Sequence, residues 1–159
     1  MRFIRAIHDL TLALVVGGIF GGAFSAVILF REAPSREVAG RVGQAIFDLL
    51  GIVVFGLSLV LLASRAFLLR TEPPSRARSV ALALSVACVL LACAIALGLT
   101  PAMGRIWRTA PHAPDGSGLV EAARVPFMRL HGIANLSYLA LLGCAAAIIL
   151  LQPADRLPR

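Results

Sequence analysis

The chain contains little charge and few of the groups that do chemistry in water. Charged residues make up 14% of its 159 residues, and it has one tryptophan, one tyrosine and no lysine. Its basic residues are therefore all arginines, and they are spread along the chain rather than gathered on one face among stacking aromatic rings. This distribution excludes nucleic-acid binding, although the net charge is +7.

Cysteines and catalytic motifs are also scarce. The 3 cysteines include no CxxC pair, and Cys88 and Cys93 lie five positions apart in one apolar run. On a helix these two thiols point about 140° away from each other, which suits apolar packing better than a shared metal. The sequence has no glycine-rich phosphate loop and no HExxH motif. We therefore expect no enzymatic activity, no metal and no cofactor.

Long apolar runs are what the chain has in excess. Hydrophobic residues make up 59% of the sequence, and the mean hydropathy is +0.90. About 20 consecutive apolar residues are enough for a helix to cross the hydrocarbon core of a bilayer. The sequence therefore predicts an all-α membrane protein with four transmembrane helices, and the bilayer is its surrounding partner. The predicted spans are approximately residues 8–30, 41–64, 79–103 and 127–152.

Short connections predict how these spans are arranged. Residues 31–40, 65–79 and 105–125 join successive spans, so we expect an up-down antiparallel bundle that forms a single domain over residues 1–159. The loop with Pro73 and Pro74 carries four arginines close to the span ends. By the positive-inside rule this loop is cytoplasmic, and so are both termini. We expect the membrane to be the bacterial inner membrane.

The first span contains a series of small residues. Gly17, Gly18, Gly21 and Gly22 repeat at a spacing of four, which allows another helix to approach closely. This pattern predicts a helix-packing surface. Its partner is either another helix of the same chain or the first span of a second copy in a homo-oligomer.

Polar side chains form ladders along the second and fourth spans. Gln44 and Asp48 follow Arg41 at intervals of three and four, and His131, Asn135 and Tyr138 are spaced in the same way. Such residues share one face of a helix. Because an aspartate at the centre of a membrane helix costs about 2.5–3.5 kcal/mol, Asp48 needs a polar partner. In an antiparallel bundle both ladders begin at the outer side, and we predict one polar cluster there. Its members are Arg41, Gln44, Asp48, Arg129, His131, Asn135 and Tyr138.

Several short motifs carry a resemblance to a known family. They are Ala39-Gly40-Arg41-Val42 followed by Phe47, Thr100-Pro101, and Phe127-Met128-Arg129-Leu130-His131-Gly132 followed by Asn135. With these motifs the chain resembles the bacterial branch of the transmembrane protein 205-like family, a four-span domain of about this length whose general function is not established. The resemblance implies a four-helix membrane fold and places Phe127, His131 and Asn135 in the recurrent pattern of the family. It implies no catalytic residue.

Three functional hypotheses follow. In the first, the protein is a small structural or accessory component whose Asp48, His131 and Asn135 hold helices together. In the second, Asp48 and His131 bind a cation or relay a proton in a small transporter. The third and weakest hypothesis is copper or haem handling, because Met103, His112, Met128 and His131 are ligand types that Cu(I) accepts. A haem between His8 and His131 is excluded, because these residues are expected about 25–30 Å apart on opposite sides of the bilayer.

Overall fold

The computed structural model describes residues 2–71, 75–112 and 119–156, with side chains to Gln152. The predicted loop prolines, Pro73 and Pro74, lie outside the described residues. The described chain forms helices joined by short connections. These helices are α1 (Arg2–Glu32), α2 (Arg36–Thr71), α3 (Arg76–Cys93), a π-helical segment (Ala94–Leu99), α4 (Thr100–Thr109) and α5 (Glu121–Arg156).

Four stretches of helix in the described residues are long and apolar enough to cross a membrane: Arg2–Glu32, Arg36–Thr71, Arg76–Thr109 and Glu121–Gln152. The prediction of an all-α membrane protein with four transmembrane helices is therefore confirmed. The helices extend beyond the predicted spans because hydropathy marks only the part of a helix that suits lipid. At their ends, Ser35 accepts a hydrogen bond from the Val38 amide at 3.2 Å, and Ser75 accepts one from the Arg78 amide at 3.2 Å. These contacts cap the starts of α2 and α3.

The third span is a continuous helix with a widened turn in its middle. The amide of Thr100 donates to the carbonyl oxygen of Ile95, five residues earlier, at the end of the π-helical segment. The next residue, Pro101, has no amide hydrogen to offer the regular ladder, so a local change of helical pitch is expected here. Thr100-Pro101 does not end the helix, which continues as α4 to Thr109.

The centre of the bundle is apolar and includes residues of all four spans. The most buried members of this core are Leu12, Val15, Ile19, Val54, Leu61, Cys88, Ala92, Leu141, Ala145 and Ile148. Large apolar side chains also cover the outside, such as Phe24, which is 67% exposed, and Leu150, which is 78% exposed. Apolar residues on both the inside and the outside are what a lipid-surrounded bundle requires.

The glycines of α1 divide into two pairs. A Cβ atom added at Gly22 would lie 2.5 Å from Leu50 Cδ2, and one at Gly18 would lie 3.7 Å from Leu50 Cδ1. These two glycines allow α2 to pack closely against α1. A Cβ added at Gly17 or Gly21 would meet nothing within 4 Å. That second pair is open to the surroundings of the chain, and a homo-oligomer through the first span stays a prediction.

Candidate functional site

A pocket of about 410 Å³ lies between α2, α4 and α5, near the starts of α2 and α5 and the end of α4. We call it the α2–α4–α5 pocket. Most of its lining is aromatic or apolar, with two amides and two arginines among the rest. The lining residues are Phe30, Arg36, Gly40, Gln44, Phe47, Met103, Trp107, Leu119, Arg124, Phe127, Met128, His131, Ala134, Asn135 and Tyr138.

A row of rings forms one wall of this pocket. The centroid of the Trp107 ring lies 5.7 Å from that of Phe127. Phe127 in turn stacks on His131, with centroids 6.1 Å apart and an interplanar angle of 9°. On its other side, Trp107 meets His112 edge to face at 5.1 Å. Trp107 packs directly on the backbone of α2, because a Cβ atom at Gly40 would overlap the indole ring. The absence of a side chain at position 40 therefore allows Trp107 to lie against α2, and this contact fixes the position of the wall.

The polar ladder of α5 faces the same pocket. His131, Asn135 and Tyr138 all contribute to the lining. The Tyr138 hydroxyl is buried and has no hydrogen-bond partner in the described part of the protein, and its ring packs against Phe47 with a centroid distance of 6.4 Å. A buried hydroxyl group without a hydrogen-bond partner is costly.

The polar residues Gln44 and Asp48 of α2 make hydrogen bonds with each other and with α4, and none with α5 among the described residues. The side-chain nitrogen of Gln44 donates to Asp48 Oδ1 at 2.8 Å and to the carbonyl oxygen of Thr100 at 3.2 Å. Gln44 therefore joins α2 to the start of α4, just after the π-helical segment. Within the described residues, no hydrogen bond links Asp48 to His131, Asn135 or Tyr138.

The predicted polar cluster is thus brought together only in part. Gln44, His131, Asn135 and Tyr138 line one pocket, and Asp48 is connected to it through Gln44. Arg41 on α2 and Arg129 on α5 are exposed, and neither is among the described lining residues of the pocket.

Two other arginines, both exposed, lie at the mouth of the pocket. The sequence pattern placed Arg124 above the polar cluster, whereas it did not single out Arg36. Arg36 is in the first turn of α2, and Arg124 is in the first turns of α5. Arg124 Nη1 lies 3.5 Å from Glu121 Oε2, in an ion pair whose side chains are 64% and 75% exposed. Both residues stand at helix starts just outside the apolar runs, and the predicted antiparallel arrangement places these two starts on the same side of the membrane; it does not show that the two side chains line one pocket.

The candidate metal ligands are divided as well. Met103, Met128 and His131 line the pocket, whereas His112 stands behind Trp107. Among the described residues, no group of three or more histidine, cysteine, aspartate or glutamate side chains is arranged to hold a metal ion.

A second group of polar residues, buried or half-buried, lies where the start of α1 meets the end of α2. His8 Nδ1 and Ser64 Oγ are 3.2 Å apart, and Gln152 Nε2 donates to Asp9 Oδ1 at 2.9 Å. Arg65, only 4% exposed, directs its Nη2 towards the Arg78 carbonyl oxygen at 3.5 Å. We call these residues the terminal network. Because the network joins residues from all four spans, its position suits a structural role.

Comparison with known proteins places the chain in a family. A family model described as Domain of unknown function (DUF4149) matches residues 10–112. This match covers more than half of the chain, so the protein belongs to that family. No curated protein and no solved structure matches the chain. The matched segment contains Gly40, Gln44 and Trp107 and ends before α5 begins.

Proposed function

We propose that this DUF4149 protein is a small accessory component of the bacterial inner membrane, without enzymatic activity, that binds an amphipathic molecule of the bilayer in the α2–α4–α5 pocket. The observation that carries the proposal is the lining of the pocket, in which aromatic walls, the unpaired Tyr138 hydroxyl and two arginines at helix starts occur together. Ligand sites are concave and mostly apolar, with a few placed polar groups that orient the ligand. An amphipathic membrane molecule has the matching distribution of apolar and polar parts.

The polar ladder of α5 supports binding over a purely structural role. If His131, Asn135 and Tyr138 held helices together, they would hydrogen bond to neighbouring helices. Instead the Tyr138 hydroxyl has no partner among the described residues, and His131 contacts the Phe127 ring of its own helix. A bound molecule that offers a hydrogen-bonding oxygen would relieve the cost of burying the Tyr138 hydroxyl without a partner.

The arrangement of the bundle belongs to the same proposal. Contacts from His8 to Ser64 and from Asp9 to Gln152 support an up-down antiparallel order of the spans. With both termini in the cytoplasm, the pocket opens in the outer leaflet. We also infer membership of the bacterial branch of the transmembrane protein 205-like family. Its recurrent residues Phe127, His131 and Asn135 all line the pocket.

Trp107 is the only tryptophan, so its fluorescence reports directly on the pocket. In nanodiscs that contain a small fraction of brominated phospholipid, we expect Trp107 to be quenched more than random lipid contact allows, because a bound lipid stays beside the indole. The control is Trp107→Phe combined with Phe3→Trp. Phe3 lies at the start of α1, away from the pocket, and is 74% exposed. A tryptophan at position 3 therefore reports on bulk lipid. Equal quenching curves for the two proteins would contradict a lipid site in the pocket.

Proton or cation handling by Asp48 and His131 is the alternative. It is favoured by the position of Asp48, a half-buried carboxylate in a membrane helix whose hydrogen bond comes from Gln44. We expect Asp48→Asn to keep both thermal stability and Trp107 quenching, since the amide still accepts from Gln44. The check is pH-dependent ion uptake by proteoliposomes of the native protein and the variant. Uptake that is present in the native protein and lost in Asp48→Asn would favour the transport hypothesis instead.

Copper or haem handling is the lesser alternative, supported by the placement of Met103, Met128 and His131 around one pocket. Elemental analysis and an absorbance spectrum of the purified protein distinguish it from lipid binding. A stoichiometric metal or a Soret band would favour it.

A further inference from the structure

We infer that the molecule bound in the α2–α4–α5 pocket is a para-quinone with an apolar tail, whose ring lies among the aromatic side chains and whose two carbonyl oxygens accept hydrogen bonds from Tyr138 and His131. The inference rests on the proposed function and names the class of amphipathic molecule. Three observations support it: the concentration of aromatic rings at this pocket, the two donors on α5 and the spacing between them.

Aromatic rings are concentrated around this pocket. The chain has 8 phenylalanines, 1 tyrosine and 1 tryptophan, and these residue types make up only 6% of the sequence. Half of them line the pocket, on four helices. They are Phe30, Phe47, Trp107, Phe127 and Tyr138. Aromatic rings stack in offset or edge-to-face arrangements with other rings. Walls of this kind therefore suit a flat ring better than a flexible acyl chain.

Tyr138 supplies a hydrogen-bond donor to the pocket. Its hydroxyl is buried and has no partner among the described residues. Its ring packs against Phe47, with the two centroids 6.4 Å apart. A carbonyl oxygen of a bound molecule would accept a hydrogen bond from this hydroxyl and remove the cost of burying it alone. A quinone offers such an oxygen without bringing a charge into the membrane, where charges are costly.

His131 supplies the second donor. A neutral imidazole carries a proton on one ring nitrogen. The His131 ring stacks on Phe127 with an interplanar angle of 9°, and no hydrogen bond ties it to another residue in the described part of the chain. This stacking sets the plane of the imidazole and leaves the nitrogen atoms at its edge open to a ligand.

The spacing of the two donors fits the two oxygens of a para-quinone. His131 and Tyr138 are separated by about 10 Å along the axis of α5, and the gap is shorter at the donor atoms because the long Tyr138 side chain leans back towards the N-terminus. The oxygens of a para-quinone lie about 5 Å apart across a six-membered ring, and each hydrogen bond adds up to about 3 Å. One ring therefore spans both donors, whereas a single ester or carboxyl group reaches only one.

Trp107 fluorescence tests the inference, because a quinone quenches an indole at short range. The probe is a decyl-substituted para-naphthoquinone, titrated into nanodiscs that hold the native protein. The control is again Trp107→Phe combined with Phe3→Trp, which reports on quinone dissolved in bulk lipid. We expect half-maximal quenching of the native protein at about a tenfold lower quinone fraction than in the control, because ring contacts and hydrogen bonds hold the probe beside Trp107.

Tyr138→Phe and His131→Phe each keep a ring in the pocket and remove one donor. Each should weaken quinone binding about threefold to tenfold, which is the contribution of one hydrogen bond. The matched control is Ser137→Ala, which should bind as the native protein does. Ser137 is not among the described lining residues, and its hydroxyl donates to the Ile133 carbonyl oxygen at 2.9 Å.

A stability measurement separates loss of binding from loss of folding. Without quinone, Tyr138→Phe should unfold at the same temperature as the native protein or higher, since it no longer buries an unpaired hydroxyl. Unchanged quinone binding by both Tyr138→Phe and His131→Phe would overturn the hydrogen bonds assigned to these residues, and the quinone assignment with them.

The two probes distinguish this inference from the proposed function. Selective quenching of Trp107 by brominated phospholipid, together with equal quinone curves for the native protein and the Trp107→Phe, Phe3→Trp control, would leave the proposed function standing and overturn the quinone assignment. If neither probe quenched Trp107 selectively, the proposed function and this inference would both be wrong.

Discussion

Gly40→Leu is expected to abolish selective quenching of Trp107 by brominated phospholipid and to lower the free energy of unfolding by about 1–3 kcal/mol, the usual cost of overpacking. The indole of Trp107 lies on the backbone of α2, so even a Cβ atom at position 40 overlaps its ring. A leucine side chain must push the ring away from α2. The displaced ring would enter the pocket or leave its contact with Phe127, and either movement destroys the wall.

The control for this substitution is Gly56→Leu. Gly56 lies in the same helix, and a Cβ added there meets nothing within 4 Å. Thermal unfolding in detergent and the emission maximum of Trp107 measure the two effects. Gly56→Leu should change neither the unfolding temperature nor the emission maximum. If Gly40→Leu also changed neither, the contact between Trp107 and α2 would not exist in the folded protein.

Arg65→Ala is expected to lower the free energy of unfolding by about 1.5–3 kcal/mol, the range for hydrogen bonds made by charged groups. The Arg65 side chain is buried in the terminal network and directs a donor towards the carbonyl oxygen of Arg78. The substitution removes the long apolar stem of the arginine side chain as well as its charge. The alanine methyl group replaces neither the packing of the stem nor the hydrogen bond of the guanidinium. The loss should therefore loosen the contact between α2 and α3.

Arg70→Ala is the matched control, because Arg70 is an exposed arginine near the end of the same helix. We expect it to change stability by less than about 0.5 kcal/mol, as surface substitutions usually do. The folded fraction of Arg65→Ala should keep the selective quenching of Trp107 by brominated phospholipid, since the terminal network and the pocket lie at different ends of α2. A change in this selective quenching with no change in stability would contradict the structural role of the terminal network.

The span pattern was readable from the sequence because it depends on local properties. Runs of apolar residues of sufficient length predict membrane helices whatever surrounds them. The spacing of His131, Asn135 and Tyr138 predicted that they share a face of one helix, and the structure places all three along one pocket. The spacing of the first-span glycines similarly predicted close packing, which Gly18 and Gly22 make with Leu50.

Contacts between distant parts of the chain were not readable in this way. The cluster predicted for α2 and α5 assumed that Asp48 would meet the α5 ladder, but its hydrogen bond comes from Gln44 on its own helix. Which faces of two helices meet depends on their rotation and vertical offset, and side-chain packing along the whole interface determines both. The sequence alone therefore placed Asp48 on the same face of α2 as Gln44, without identifying Gln44 as its hydrogen-bond partner.

The sequence by itself determined that the helices lie in a lipid bilayer, how many spans there are and which residues share each helical face. These properties depend on hydropathy and helical periodicity, which act over only a few turns. The tertiary structure alone decided that Trp107 packs on Gly40, that Arg36 and Arg124 share one pocket mouth and that His8 meets Ser64. Each of these pairs joins residues far apart in the chain. Their proximity follows from how whole helices pack, and no local pattern encodes it.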